Sequence, residues 1–280
     1  MTNHIDAFQQ TGYCVVKLND AGPLHDLADF CRKFITNHLG DDIELARYHE
    51  AKLTEEEHRE LHYEIVNEFR AKKFHEKIVL ANLEVFAGLV GYDIDLQADP
   101  YLRISRPQVA ADNIGLHRDT LYGNSAYELS VVCPILDFNE GSAVNVIPHS
   151  HQLSQIEFAV EPDPIVEKGS SQNQIGFLYS HKRLLNLERL EVDKPTPKRG
   201  EALIFSLGVI HGQEINSSSI TRWSVDFRIR SCHSPVSPAL KHDYYAPVNR
   251  CAAHHVAREY YENNAEEAEQ LLIPNVFWSL

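Results

Sequence analysis

His117, Asp119 and His211 are the residues of this 280-residue chain whose types suit metal-centred oxidation. Two imidazoles and one carboxylate are the ligands with which non-haem Fe(II) centres hold one face of the metal, leaving the other positions open for substrates and oxygen. One residue separates His117 from Asp119, so on an extended strand both side chains leave the same face, with Arg118 pointing away or bracing the rim. His211 lies far downstream, after Gly208-Val209-Ile210, and its glycine neighbours permit a bend or a close approach near a metal. In a chain with 16 histidines a His-x-Asp pair is weak evidence by itself, because polar residues commonly have surface or structural roles.

Arg222, eleven residues after His211, adds weight. In Arg222-Trp223-Ser224-Val225-Asp226-Phe227-Arg228-Ile229 the alternation predicts a strand with Arg222, Ser224, Asp226 and Arg228 on one face and the apolar residues on the other. An arginine facing a sheet interior needs an anion or carboxylate partner, and a bidentate guanidinium suits the distal carboxylate of an organic diacid.

The elements that must position these groups fall into two regions. The first is mostly helical, at about 20–95, after a strand at Gly12-Tyr13-Cys14-Val15-Val16. Leu24, Leu27, Ala28, Cys31 and Ile35 recur at helical spacing after Pro23, with Asp20 a candidate cap. Thr54 and Glu57 make a capping-box pattern for a region running toward residue 90, long enough to require a break. From about residue 101 short strands are predicted at 101–105, 127–133, 143–147, 201–207 and 221–229, separated by turn residues. That spacing favours a sandwich or closed barrel over repeated βαβ units. Pro162, Pro164 and Gly169-Ser170-Ser171 predict a long loop or insertion at roughly 159–173, and 253–269 reads as a helix in a polar extension spanning about 233–280.

The length suffices for one large domain, and a net charge of -14 from 26 basic and 40 acidic residues argues against a nucleic-acid backbone as partner. Cysteines 14, 31, 133, 232 and 251 form no CxxC pair, which points to a reducing compartment rather than disulfide stapling. No apolar run approaches a membrane span. A soluble cytoplasmic protein acting on a small molecule is expected, with the oligomeric state open.

Taken together these residues resemble the Fe(II)- and 2-oxoglutarate-dependent dioxygenases, and within them the phytanoyl-CoA dioxygenase-like branch. The resemblance rests on His117-Arg118-Asp119, His211, Arg222-Trp223-Ser224 and the segment Gly141 to His151, with Phe8, Gly12-Tyr13 and Val15-Val16 as an opening helix and strand. It covers most of residues 8–230, although His149 stands where that branch often has glycine. It implies a mainly β fold with flanking helices, a double-stranded β-helix or jelly-roll, cupin-like barrel at about 100–232, in one dioxygenase domain over 1–280. It assigns Fe(II) to His117, Asp119 and His211, and the 2-oxoglutarate C5 carboxylate to Arg222 with help from Ser224, oxygen being the other co-substrate. An intact Asp119 favours hydroxylation over the chemistry of relatives that replace this ligand with a small residue and bind chloride.

Other assignments carry less weight. Tyr101, Arg103 and Ser105 alternate on one strand face, which either lines the cavity, Arg103 beside the co-substrate, or forms a structural edge. Asn113 and Gln108 lie on the approach to His117. Tyr127 and Ser130 cannot share one ideal strand face. Asn145 is either an inward hydrogen-bond partner for substrate or a turn support. Asp226, between Arg222 and Arg228, either neutralises one of these guanidiniums, the favoured reading for an inward charge, or leaves Arg228 to bind an anionic substrate. His149 and His151 either line an entrance or are solvated. The expected activity is hydroxylation of an unactivated C-H bond in a small polar or natural-product metabolite, with release of succinate and CO2. The alternatives are a protein or peptide hydroxylase and a non-catalytic cupin-like metal-binding or interaction protein.

Overall fold

In the computed structural model, residues 2–40, 42–162, 182–237, 240 and 243–263 are described. After α1 (Thr2–Thr11) and β1 (Tyr13–Lys17), the apolar stripe following Pro23 forms α2 (Gly22–Leu39), with Leu24, Leu27, Ala28, Cys31, Phe34 and Ile35 buried. Its cap is Ala21 rather than Asp20, yet Asp20 Oδ1 still accepts from Gly22 N at 2.7 Å, satisfying one of the exposed amides of the first turn. The Thr54/Glu57 capping box is formed and opens α3 (Glu55–Ala71). The expected break comes at Lys73, whose φ of 53° is left-handed, and α4 (Phe74–Ala81) and α5 (Leu83–Val90) follow on either side of Asn82.

The remaining strands are β2 (Ile94–Gln97), β3 (Tyr101–Ser105), β4 (Leu129–Pro134), β5 (Asn145–Val146), β6 (Val160–Pro162), β7 (Lys182–Leu184), β8 (Glu201–Ser206), β9 (His211–Gly212), β10 (Arg222–Ser231) and β11 (Tyr245–Asn249), before α6 (Ala252–Asn263). The main sheet is antiparallel throughout, in the order β1-β8-β4-β10-β2-β11. The long β10 takes β4 along one edge, and on the other it pairs first with β3 through Arg222–Asp226 and then with β2 through Ile229–Ser231. One face of this sheet packs on the helices through Trp223, Val225, Phe227 and Ile229 together with Leu27, Ile65, Phe69 and Phe86, all but fully buried.

The opposite face is covered by a second, shorter layer. There β5 pairs with β9, His117 bridges His211, Val146 bridges Asp193, and Leu184 N donates to Leu116 O. Val132, Leu203 and Phe205 of the main sheet pack against Val144, Val146 and Val209 between the layers. The result is a mixed α/β fold with a jelly-roll-like strand order. The expected closed barrel is corrected by the pairing: among the described residues no sheet closes on itself, because the second layer is joined by two-residue strands and single bridges. Most of the insertion at 159–173, and the end of the helix expected at 253–269, lie outside the described residues. No described helix is long and apolar enough to cross a membrane.

Candidate metal centre

The second layer brings the two ligand segments together. His117 and His211 exchange backbone hydrogen bonds, N to O, at 2.8 and 3.0 Å, and their ring centroids are 4.4 Å apart. Gly212 permits this approach, since a Cβ there would lie 2.7 Å from Gly115 O and 2.9 Å from Leu116 Cα. Arg118 is extended, at φ -118° and ψ 133°, so His117 and Asp119 face the same way although Asp119 already begins a 3-10 turn. The donor atoms of His117, Asp119 and His211 all lie within 4.8 Å of one another, and all three residues are buried. Asp119 Oδ1 is 3.3 Å from His117 Nε2 and 3.9 Å from His211 Nε2.

Both rings are oriented from behind. His117 Nδ1 lies 2.8 Å from Gly115 O and His211 Nδ1 lies 3.0 Å from Val209 O. A carbonyl only accepts, so each Nδ1 carries the proton and each Nε2 presents its lone pair to the shared centre. Burial, reinforced by the neighbouring His117, lowers His211 to about 3 and keeps it neutral. Burial alone would raise the Asp119 carboxyl, but the Arg228 guanidinium beside it holds it well below the usual carboxylate range. Arg118 points away from the centre and braces the 150–155 segment through Ser150 O, Leu153 O and Gln155 Oε1.

The cavity in front of these ligands is lined by the polar face of β10, Arg222, Ser224, Asp226 and Arg228, together with Tyr101 and Arg103 of β3. Ile114, Val132, Val144 and Phe205 supply apolar wall. Arg222 is held by Ser142 O at 3.2 Å and by Gln213 Oε1, and its guanidinium stands 5.4 Å above the Phe138 ring. Among the described residues no carboxylate forms an ion pair with it, and its buried Nε has no hydrogen-bond partner. Burial, then the like charge of Arg103, lowers Arg222 to about 10. Ser224 Oγ, two residues along the same strand face, is likewise buried and unpartnered.

Two of the charges pair differently from the favoured reading. Arg228 is held by Asp119, at 2.5 Å from Nη2 and 3.1 Å from Nε to Oδ2, while Asp226 stands 3.5 Å from Arg103 and accepts from Ser130. Asn145 is buried opposite Gly212, and neither it nor Asn113, whose Oδ1 is buried without a partner, lines the cavity. Tyr127 is 67% exposed, and His149 and His151 also lie off the cavity wall. His149 takes the left-handed conformation, φ 61°, that its glycine-like position requires. Sequence reasoning passed over Gln213, although it lies two residues beyond His211 and so shares its strand parity. Phe138 and the carbonyl of Ser142 carried no such signal.

The donor set and the two orphaned polar atoms fit a facial Fe(II) site beside a carboxylate-binding pocket. No protein-family model and no curated protein matches the sequence. Among solved structures, a non-haem monooxygenase, ThoJ, in a nickel complex aligns over 88% of this chain and 83% of its own at a TM-score of 0.54 and 14% identity. EctD from S. alaskensis with 2-oxoglutarate and 5-hydroxyectoine aligns over 85% and 78% at a TM-score of 0.53 and 14% identity. SnoN, an alpha-ketoglutarate-dependent epimerase from nogalamycin biosynthesis, aligns over 89% and 98% at 0.50 and 13%. These likenesses do not single out the phytanoyl-CoA dioxygenase-like branch. The chain shares the fold of these solved non-haem enzymes, and at its centre His117, Asp119 and His211 form a buried 2-His-1-carboxylate set.

Proposed function

We propose that this protein is an Fe(II)- and 2-oxoglutarate-dependent oxygenase that hydroxylates a C-H bond of a small polar or natural-product metabolite. The observation that carries the reading is the pair of buried, unpartnered donors on one strand face, Arg222 Nε and Ser224 Oγ, beside the triad. A buried guanidinium with only neutral partners is costly until an anion arrives, and a carboxylate is the anion its planar fork matches.

His117 Nε2, Asp119 Oδ1 and His211 Nε2 would hold iron, and Arg222 with Ser224 would hold the distal carboxylate of 2-oxoglutarate. Bound together, iron and 2-oxoglutarate supply oxygen activation coupled to decarboxylation, giving succinate and CO2. The protein's own part is positioning and shielding. Phe138 covers one face of Arg222, and Val132, Val144 and Phe205 keep water from the space between the carboxylate site and the triad. Arg103, the cross-strand neighbour of Ser224, adds positive charge at the co-substrate end. Arg228 is committed to Asp119, which leaves Tyr101, Ser130 and the Arg103-Asp226 pair to meet a substrate in the cavity. The structural neighbours, a non-haem monooxygenase, EctD with 5-hydroxyectoine bound and an epimerase from nogalamycin biosynthesis, favour a small molecule as substrate.

Anaerobic titration of the Fe(II)-loaded protein with 2-oxoglutarate, followed by a substrate-library assay for succinate and for product mass gain, tests the reading. Arg222→Ala is expected to weaken 2-oxoglutarate binding by ~30-fold or more, the effect of truncating one side of a buried charge pair. Unchanged affinity in that variant, or substrate-coupled turnover by His117→Ala, would overturn it.

A further inference from the structure

Away from the triad, Asp93, Cys232 and His233 form the other cluster of metal-ligating side chains among the described residues, with their donor atoms all within 4.8 Å of one another. Asp93 sits in the turn before β2, and Cys232-His233 form the turn that ends β10, so adjacent strands deliver the three groups to one end of the main sheet. We propose that this trio is a second divalent-cation site, of the thiolate-imidazole-carboxylate type that suits Zn2+.

The turn geometry supports a fixed rather than incidental cluster. Cys232 N donates to Asp93 O at 2.8 Å, which ties the two turns together, and Ser234 N donates to Ser231 O at 3.0 Å, closing the turn that carries both Cys232 and His233. The carboxylate is oriented as a ligand's is: Cys251 N donates to Asp93 Oδ1 at 2.7 Å, and Oδ2 is turned toward His233 Nε2 at 3.4 Å. Charge points the same way. The nearby Asp95 is neutralised by two guanidiniums, Arg230 and Arg250, each at 2.5 Å, whereas among the described residues no lysine or arginine pairs with Asp93. Asp93 is therefore a largely buried carboxylate, its side chain 13% exposed, whose partners are the amide and thiol of Cys251 and the imidazole of His233.

Burial raises the Cys232 thiol, so without metal it is protonated at neutral pH. A divalent cation would replace that proton, forming a metal-sulfur bond and releasing one proton to solvent with no change of oxidation state. Three protein ligands leave a fourth tetrahedral position for water, and His233, 66% exposed, leaves the site open to entry. Because Asp93 also holds the amide of Cys251 at the head of α6, the cation would stiffen the junction through which the C-terminal strand and helix leave the sheet.

Co2+ titration of the reduced, full-length protein separates this site from the triad, because a thiolate gives a near-ultraviolet sulfur-to-cobalt charge-transfer band and the triad contains no sulfur. The expected result is such a band saturating with stoichiometric cobalt and bleached by Zn2+. Cys232→Ser, with its fold checked by circular dichroism, is expected to abolish the band, and His233→Ala to weaken cobalt binding by ~10-fold or more, at least the loss that an outer-shell partner brings. Absence of the band in the unmodified protein, or its persistence in Cys232→Ser, would overturn the proposal.

Discussion

Arg228 grips a single oxygen of Asp119, with Nη2 at 2.5 Å and Nε at 3.1 Å from Oδ2, and so leaves Oδ1 alone to face the two imidazoles. At the proposed iron site that division would make Asp119 a one-oxygen ligand and leave room for the co-substrates. Burial opposes the charge on Arg228, and Asp119 outweighs it, raising the guanidinium well above its ordinary value. Arg228→Met is expected to destabilise the metal-free protein by ~3–5 kcal/mol, because an unpaired carboxylate is left in the interior. It should also weaken Fe(II) binding by ~10–100-fold, as loss of a second-sphere partner does. Thermal unfolding and anaerobic metal titration check the two effects, and a change in substrate KM with metal affinity unaltered would reassign Arg228 to substrate binding.

Gly212→Ala is expected to damage the site without touching a ligand. The added Cβ would meet backbone at 2.7 to 2.9 Å, and backbone of the paired segment cannot yield as a side chain end can. The bridge between His117 and His211 must then open. Overpacking of this kind costs ~1–3 kcal/mol, and a ligand displaced by ~1 Å loses function out of proportion to that cost, as misplaced catalytic groups lose ~100-fold in rate. Metal affinity measured beside unfolding temperature distinguishes this from a simple loss of stability. Gly208→Ala, whose Cβ would find its nearest neighbour at 3.6 Å, is expected to be mild in both assays.

The metal-free protein should lose stability steeply on mild acidification. Burial lowers His58, His62 and His211 to about 3 and His75 to about 4, against an ordinary value near 6.5. Between those limits the unfolded chain binds protons that the native state refuses, so stability rises with pH across roughly 4 to 6.5 and is lost as pH falls through it. Asp119, held low, acts in the same direction but further down, its contribution present above ~3.9, the unfolded value, and lost below it. Urea unfolding at pH 7, 6 and 5 measures the slope. His62→Gln, which keeps a donor for Leu102 O, now 2.7 Å from His62 Nε2, should flatten it.

How much of this was legible in the sequence depended on the range of the interaction. The faces of β10 followed from period-two alternation, and the structure places Trp223, Val225, Phe227 and Ile229 in the core and Arg222, Ser224, Asp226 and Arg228 on the cavity. The capping box was likewise local, whereas the break before α4 was expected from length alone and its place at Lys73 was not. The partner of Arg228 was not. Residues two apart on a strand are ~7 Å apart along it, farther than cross-strand neighbours, so Asp226 turns to Arg103 on β3 and Arg228 to Asp119 on another layer. The strand β11 was missed because Tyr-Ala-Pro-Val-Asn is short and carries Pro247, which an edge position tolerates. Closure of the barrel depends on which short strands pair, and alternation within a strand says nothing of that.

The polar C-terminal extension returns to the loop after Asp119 through paired tyrosines, Tyr244 at Asn124 and Tyr245 at Glu128. Tyr245 donates its hydroxyl to Glu128 Oε2 at 2.8 Å, and the same fully buried carboxylate accepts from Asn124 Nδ2 at 2.9 Å and Ser125 N at 3.2 Å. Glu128 closes the loop that begins at Asp119, so β11 is fastened to the segment immediately following the metal ligands. Removing one donor from a buried carboxylate costs ~1–3 kcal/mol. Tyr245→Phe keeps the ring against Arg230, now 5.1 Å from its centroid, and deletes only that donor. The variant is expected to increase hydrogen exchange in residues 119–128 and in β11 together, leaving α2 and α3 as protected as before. Exchange confined to β11 would mean that the bond holds the extension without steadying the metal loop.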